Sequence, residues 1–198
     1  IILKGSPGVG KTFMARRLAY SIIGKKAKDQ VLSVQFHQSY SYEDFIEGIR
    51  PNKDGEFVLT PGVFKEFVDV AKNNRDKDYF VIIDEINRGN LSKILGELMK
   101  LIEYYREVLS SERLVIEYDK RDKEDVILPY SKESFTIPEN IFIIGTMNTA
   151  DRSLAMVDYA LRRRFAFIQV NPAFNNSKFS NWLIEKNNIK ENDVNLLC

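Results

Sequence analysis

Two kinds of apolar pattern alternate along this chain. Short apolar-rich runs recur at 1–4, 31–36, 79–83, 141–146 and 165–170, and stretches with a three-to-four-residue apolar spacing fall between them. The first kind predicts strands; Tyr79-Phe80-Val81-Ile82-Ile83 is apolar throughout, as in a strand covered on both faces. The second kind predicts helices. One covers 11–23, with Phe13, Leu18 and Ile22 among its apolar positions and Gly24 as a stop. Ser41 with Asp44 predicts a short capped helix through Ile49, and Asp54-Gly55 a turn before a strand at 57–59. Thr60-Pro61 reads as a helix start, followed by Val63, Phe64, Phe67, Val68 and Ala71 on one face. Asn90 opens a long helix carrying Leu91, Ile94, Leu95, Leu98, Leu101, Ile102 and Tyr105. Residues 153–164 read as a further helix.

Taken in order, these elements predict an α/β fold, a parallel sheet with helices on both faces, over residues 1–170. A β-rich insert at about 113–137, with charged residues at 119–125, interrupts the alternation. From Asn171 the chain becomes polar and asparagine-rich, with a weak helical pattern at Phe179, Trp182, Leu183 and Ile184. Residues 171–198 therefore read as the truncated start of a second, helical unit. The opening inside a strand reads as a piece of a longer protein.

Composition narrows the function. Lysine and arginine total 29 against 28 aspartate and glutamate, so there is no basic field of the kind that holds nucleic acid unspecifically. Any DNA contact is expected from other domains. One cysteine, Cys198, and one histidine, His37, exclude a disulfide framework and a His/Cys zinc site. No apolar run approaches the roughly 18 residues of a membrane span, and a cytoplasmic location is expected.

The chemistry begins where the first strand ends. Gly5-Ser6-Pro7-Gly8-Val9-Gly10-Lys11-Thr12 fits the phosphate-binding pattern G-x-x-x-x-G-K-[ST] at every fixed position. Glycines at 5, 8 and 10 let successive N–H groups turn toward phosphate oxygens, and the following helix adds its positive end. Lys11 is expected to reach the β- and γ-phosphates, and the Thr12 hydroxyl the Mg²⁺ that bridges them.

Three further groups suit hydrolysis. Asp84, at the carboxyl end of a buried strand, is placed to hold Mg²⁺, and Glu85 beside it has the character of a general base. Asn148 follows the strand at 141–146; its amide suits a hydrogen bond to the γ-phosphate and the attacking water, although asparagine also favours turns. Asp151 and Arg152 read either as a structural ion pair or as groups that orient Asn148. Arg162-Arg163-Arg164 reads either as a basic helix cap or as a source of an arginine finger for a neighbouring subunit, with Arg88 as a second candidate.

In this order the four landmarks resemble the AAA+ ATPases, with Walker A at 5–12, Walker B at 79–85, sensor 1 at Asn148 and arginine fingers at 162–164. The segments FHQSYSYEDFIEGIRP (36–51), IIDEINRGNLSKILGELM (82–99) and GTMNTADRSLAMVDYALRRRFAF (145–167) are similar to the McrB family, motors of modification-dependent restriction systems. That resemblance implies a three-layer AAA+ core followed by a helical lid. It places Asn148 and Asp151 in the hydrolysis centre, makes Arg163 the foremost trans finger with Arg164 next to it, and carries Arg88 toward the subunit boundary. It also implies a homo-oligomeric, usually hexameric ring, a McrC-like nuclease partner and GTP as substrate, coupled to DNA translocation or nuclease activation.

The residues themselves leave GTP and ATP open. The nearest string to a guanine-reading N-K-x-D motif is Asn52-Lys53-Asp54-Gly55, which has the wrong spacing and reads as a turn. A MoxR-like ATPase that remodels proteins, and a nucleotide-gated assembly module with little turnover, are the competing functions.

Overall fold

In the computed structural model, residues 1–102, 125–150, 162 and 164–172 are described. Strand β1 (Ile2–Gly5) leads through the glycine loop into helix α1 (Lys11–Ile23), which Gly24 ends in a left-handed conformation. Strand β2 (Val31–Gln35), the single-turn helix α2 (Tyr42–Phe45) and a hairpin of β3 (Glu47–Pro51) and β4 (Phe57–Pro61) follow. Helix α3 (Val63–Lys72), strand β5 (Tyr79–Asp84) and helix α4 (Leu91–Leu95) lead to the insert, whose described part holds β6 (Val126–Ile127) and β7 (Ser134–Phe135). Strands β8 (Ile141–Asn148) and β9 (Phe167–Gln169) complete the described elements.

The central sheet has the order β2-β5-β8-β1-β9 with every pair parallel. Alternation along the strands divides its side chains between two cores. Phe80, Ile82, Ile144 and Leu3 pack with Ala15 and Ala19 of α1 on one face. Val81, Ile83, Ile2 and Met147 join Phe45, Phe64, Val68, Leu91, Ile94 and Leu95 on the other. The expected three-layer α/β sandwich is present.

Four local expectations change. Helix α1 has the predicted bounds but buries its alanines, four residues apart, while Phe13 and Ile22 are 66% and 53% exposed. The capping box of Ser41 and Asp44 is formed, yet the helix stops at Phe45 because Glu47–Pro51 pairs with Phe57–Pro61 as a hairpin. Pro61 closes β4 rather than opening a helix, and Gly62 caps α3. The long helix from Asn90 breaks at Gly96, whose φ of 49° and ψ of −128° suit glycine, before helical geometry resumes at 98–102. Leu98, Leu101 and Ile102 are buried there as expected; Tyr105 lies outside the described residues.

The string at Asn52 is resolved by its hydrogen bonds. Asn52 Oδ1 accepts from the N–H groups of Asp54 and Glu56, both at 2.9 Å, so this segment is the turn of the β3–β4 hairpin. Glu47, 1% exposed, joins the insert to the core: its Oε1 accepts from the N–H groups of Tyr130 and Ser131 at 3.1 and 2.9 Å. Residues 113–124 of the expected insert, most of the helix at 153–164, and 173–198 lie outside the described residues.

Candidate active site

The carboxyl ends of β1, β5 and β8 carry the site, with β2 at its side. Gly8 and Gly10 adopt φ of 78° and 83°, which curls the loop so that α1 begins at Lys11. Gly10 has no side chain to cap the helix, which leaves first-turn N–H groups as anion donors. Gly5 is required by close approach: a β-carbon there would stand 2.3 Å from the Val170 carbonyl oxygen beyond β9. The Lys11 ammonium is held by the carbonyl oxygens of Gly5 and Ser6 at 3.0 and 2.7 Å. Desolvation lowers its pKa, partly offset by the charges of Asp84 and Glu85.

Thr12 and Asp84, 72 residues apart, meet because α1 packs on the sheet face formed by β1, β5 and β8. The Thr12 hydroxyl donates to Asp84 Oδ1 at 2.8 Å. A hydroxyl and a carboxylate oxygen at this separation fit Mg²⁺, a hard ion that takes few protein ligands and completes its shell with water and phosphate oxygen. Among the described residues there is no group of three or more His, Cys, Asp or Glu that would form an all-protein metal cage.

Glu85 has a left-handed backbone, φ 51° and ψ 45°, which is uncommon for a residue with a β-carbon and recurs at functional sites. Its Oε2 pairs with Arg88 Nε at 2.7 Å, and the Gln35 amide donates to the same oxygen at 3.4 Å. Gln35 ends β2 in register with Asp84. Asn148 is the last residue of β8, opposite Gly5 in the parallel register. Its Oδ1 accepts from the Ala150 N–H at 3.2 Å, and the next N–H, of Thr149, donates to the Gly5 carbonyl at 3.1 Å. The strand thus runs two residues beyond its expected end and brings Asn148 against the loop.

Two further residues of the site belong to no sequence motif. Gln35 is one. Thr146 is the other: it is 1% exposed, its hydroxyl donates to Asp84 Oδ1, and it accepts from the Glu85 N–H at 3.2 Å. A hydroxyl in a run of buried apolar residues, two positions before Asn148 and therefore on the same face, was the available signal. Of the arginines, Arg162 is exposed and Arg164 donates from Nε to the Met99 carbonyl at 2.8 Å. Arg163 and Asp151 lie outside the described residues.

A loop, an acidic strand end and a polar strand end converging on one edge are the parts of a nucleotide-hydrolysing core. Compared with known families, residues 1–165 match the AAA domain (dynein-related subfamily). The chain belongs to this AAA family. It is a P-loop NTPase. The chain is 55% identical over 190 residues to the type IV methyl-directed restriction enzyme EcoKMcrB subunit of Escherichia coli, covering 94% of this chain and 38% of that protein. Against the type II restriction enzyme BsuMI component YdiS of Bacillus subtilis, the identity is 27% over 198 residues, covering 84% and 55%. The chain therefore spans well under two thirds of either relative's length. Among solved structures, a DNA polymerase III gamma subunit-related protein from Thermotoga maritima has a TM-score of 0.49 at 11% identity, covering 94% of this chain and 44% of that one. The likeness to the McrB family read from the sequence is borne out by the 55% identity. No helix among the described residues is long and apolar enough to cross a membrane.

Proposed function

We propose that this AAA core is the motor of a McrBC-like restriction system. It is a Mg²⁺-dependent nucleoside triphosphatase, with GTP favoured over ATP. It works as a homo-oligomeric, hexameric ring and couples hydrolysis to DNA translocation or to activation of a McrC-like nuclease. The observation that carries the hydrolytic part is the meeting of Thr12, Asp84 and Thr146 at one carboxylate oxygen, beside the strained Glu85. The 55% identity to an McrB subunit supports the restriction part. DNA selection is assigned to domains outside this chain.

In this reading the loop N–H groups of Ser6 and of residues 8–12 and the Lys11 ammonium bind the phosphates, Lys11 exchanging the carbonyls of Gly5 and Ser6 for phosphate oxygens. Thr12 and Asp84 would hold Mg²⁺, which when bound offsets charge on the β- and γ-phosphates. Glu85 accepts a proton from the water whose oxygen attacks the γ-phosphorus, and the bond to the β-phosphate oxygen breaks to give the diphosphate and inorganic phosphate. Asn148 orients that water, with Asp151 beside it. Arg163 is the finger supplied by a neighbouring subunit. The hold of Arg164 on the Met99 carbonyl favours Arg163 over it for this role, and Arg88 stays next to the base.

Steady-state turnover of GTP and ATP, with and without Mg²⁺ and a McrC-like subunit, at several protein concentrations tests this. Faster GTP turnover that needs Mg²⁺ and rises per subunit with concentration is expected. Turnover independent of concentration would remove the shared site, and a preference for ATP would remove the GTP assignment.

A further inference from the structure

Resting on this reading of Asp84 and Glu85, we propose that Thr146 is a positioning residue for hydrolysis. Its hydroxyl holds the Asp84 carboxylate and the Glu85 backbone in working geometry. The residue lies on β8, the middle strand of the sheet, and is buried among apolar neighbours. A hydroxyl in such a place is costly unless both its hydrogen and a lone pair are used. Here they are used on the two acidic residues of the site: the hydrogen goes to Asp84 Oδ1, and the oxygen accepts the Glu85 N–H at 3.2 Å.

The two bonds do different things. Thr12 donates to the same Asp84 oxygen at 2.8 Å, yet Thr12 is also the residue assigned to the metal. A hydroxyl that lends a lone pair to an ion can still donate its hydrogen, so Thr12 and Thr146 hold Asp84 Oδ1 together and keep the carboxylate from rotating. The second bond pins the Glu85 peptide at φ 51°, a conformation that residues with a β-carbon leave when nothing restrains them. Displacement of a general base by about 1 Å can cost on the order of a hundredfold in rate. Thr146 therefore acts through Asp84 and Glu85 and touches no substrate itself. Because Asn148 ends the same strand, any shift of β8 moves the water-orienting amide and this hydroxyl together.

The test compares Thr146→Val, which keeps the shape and loses the hydroxyl, with Thr146→Ser, which keeps the hydroxyl and loses a methyl group. Glu85→Gln is the reference. Positioning predicts that Ser turns over within about twofold of the natural protein, while Val falls at least tenfold in kcat with KM changed less than about threefold. The extra thermal stabilisation that Mg²⁺ adds to bound nucleotide should also shrink in Val and persist in Ser. A purely packing role predicts the reverse order, with Val near normal and Ser impaired, and that result overturns the proposal. If Val does not fold, Thr146→Ala replaces it, and equal rates in Ala and Ser overturn it equally. An inactive Glu85→Gln beside a fully active Val refutes the Thr146 role alone. A Glu85→Gln with normal turnover refutes the reading of the site, and this role with it.

Discussion

Arg88 Nε lies 2.7 Å from Glu85 Oε2, three residues back along one chain. The pair is partly exposed, at 42% and 24%, and pairs of this kind contribute about 0.2–1 kcal/mol to stability. Its weight falls on where Glu85 points. Arg88→Ala is expected to leave the melting temperature within a few degrees and to reduce turnover by about tenfold to a hundredfold. Melting curves beside steady-state rates check this; a large loss of stability with unchanged turnover would contradict it.

Gly5 touches the Val170 carbonyl where the loop passes the end of β9. A β-carbon built there would lie 2.3 Å from that oxygen, and backbone cannot yield as a flexible side chain does. Gly5→Ala should destabilise by about 1–3 kcal/mol and weaken nucleotide binding, because the loop must move off the strand that anchors it. Denaturant titration and a fluorescent-nucleotide binding curve read the two effects separately.

Asn140 does structural work at the far end of the same sheet. Its Nδ2 donates to the carbonyl oxygens of Ala71, Asn74 and Lys77 at 3.0, 3.1 and 2.9 Å, tying the end of α3 to the start of β8. Asn140→Ala should cost about 1–3 kcal/mol, since the Lys77 carbonyl loses this donor and those of Ala71 and Asn74 keep only backbone N–H groups. Turnover per folded molecule should not change, because eight residues of strand, roughly 26 Å, separate it from Asn148. A kcat loss in the folded protein would show the two ends of β8 to be coupled.

Lys11 gives the binding step a pH dependence. Desolvation lowers its pKa in the free protein, so between that lowered value and the ordinary lysine value the unfolded chain holds more proton and stability rises with pH. Bound phosphate favours the charged amine, so the sign for binding is opposite. Affinity should begin to fall at a pH below the ordinary lysine range of about 10.4, with proton uptake on binding along that limb. Calorimetry in buffers of different ionisation enthalpy measures the uptake, and Lys11→Ala should bind weakly and show no such limb.

Local chemistry explains which elements could be read without coordinates. The loop at 5–12 has fixed residue types because its φ angles and its charge are dictated by phosphate binding. Residues 79–83 of strand β5 read directly because a stretch covered on both faces has no charged residue to blur the pattern before Asp84. Elements that depend on distant partners are less legible. The apolar spacing of α1 shows Phe13 and Ile22 as readily as Ala15 and Ala19, and only packing shows that the small residues face the sheet. The hairpin at Glu47–Pro51 and Phe57–Pro61 replaced a helical reading because each strand is stabilised by the other, a partner that local propensity does not contain.

By itself the sequence determined the phosphate loop, the acidic pair after a buried strand, the α/β layering and the family, since all are encoded in residues that are neighbours along the chain. Tertiary structure decided which distant groups meet. The Thr12–Asp84 contact, the place of Asn148 beside Gly5, and the two bonds of Thr146 all depend on strand order β2-β5-β8-β1-β9 and on parallel register. A one-residue slip of that register would turn Thr146 to the opposite face. Register is set by the summed packing of both cores, so no single stretch of sequence carries it.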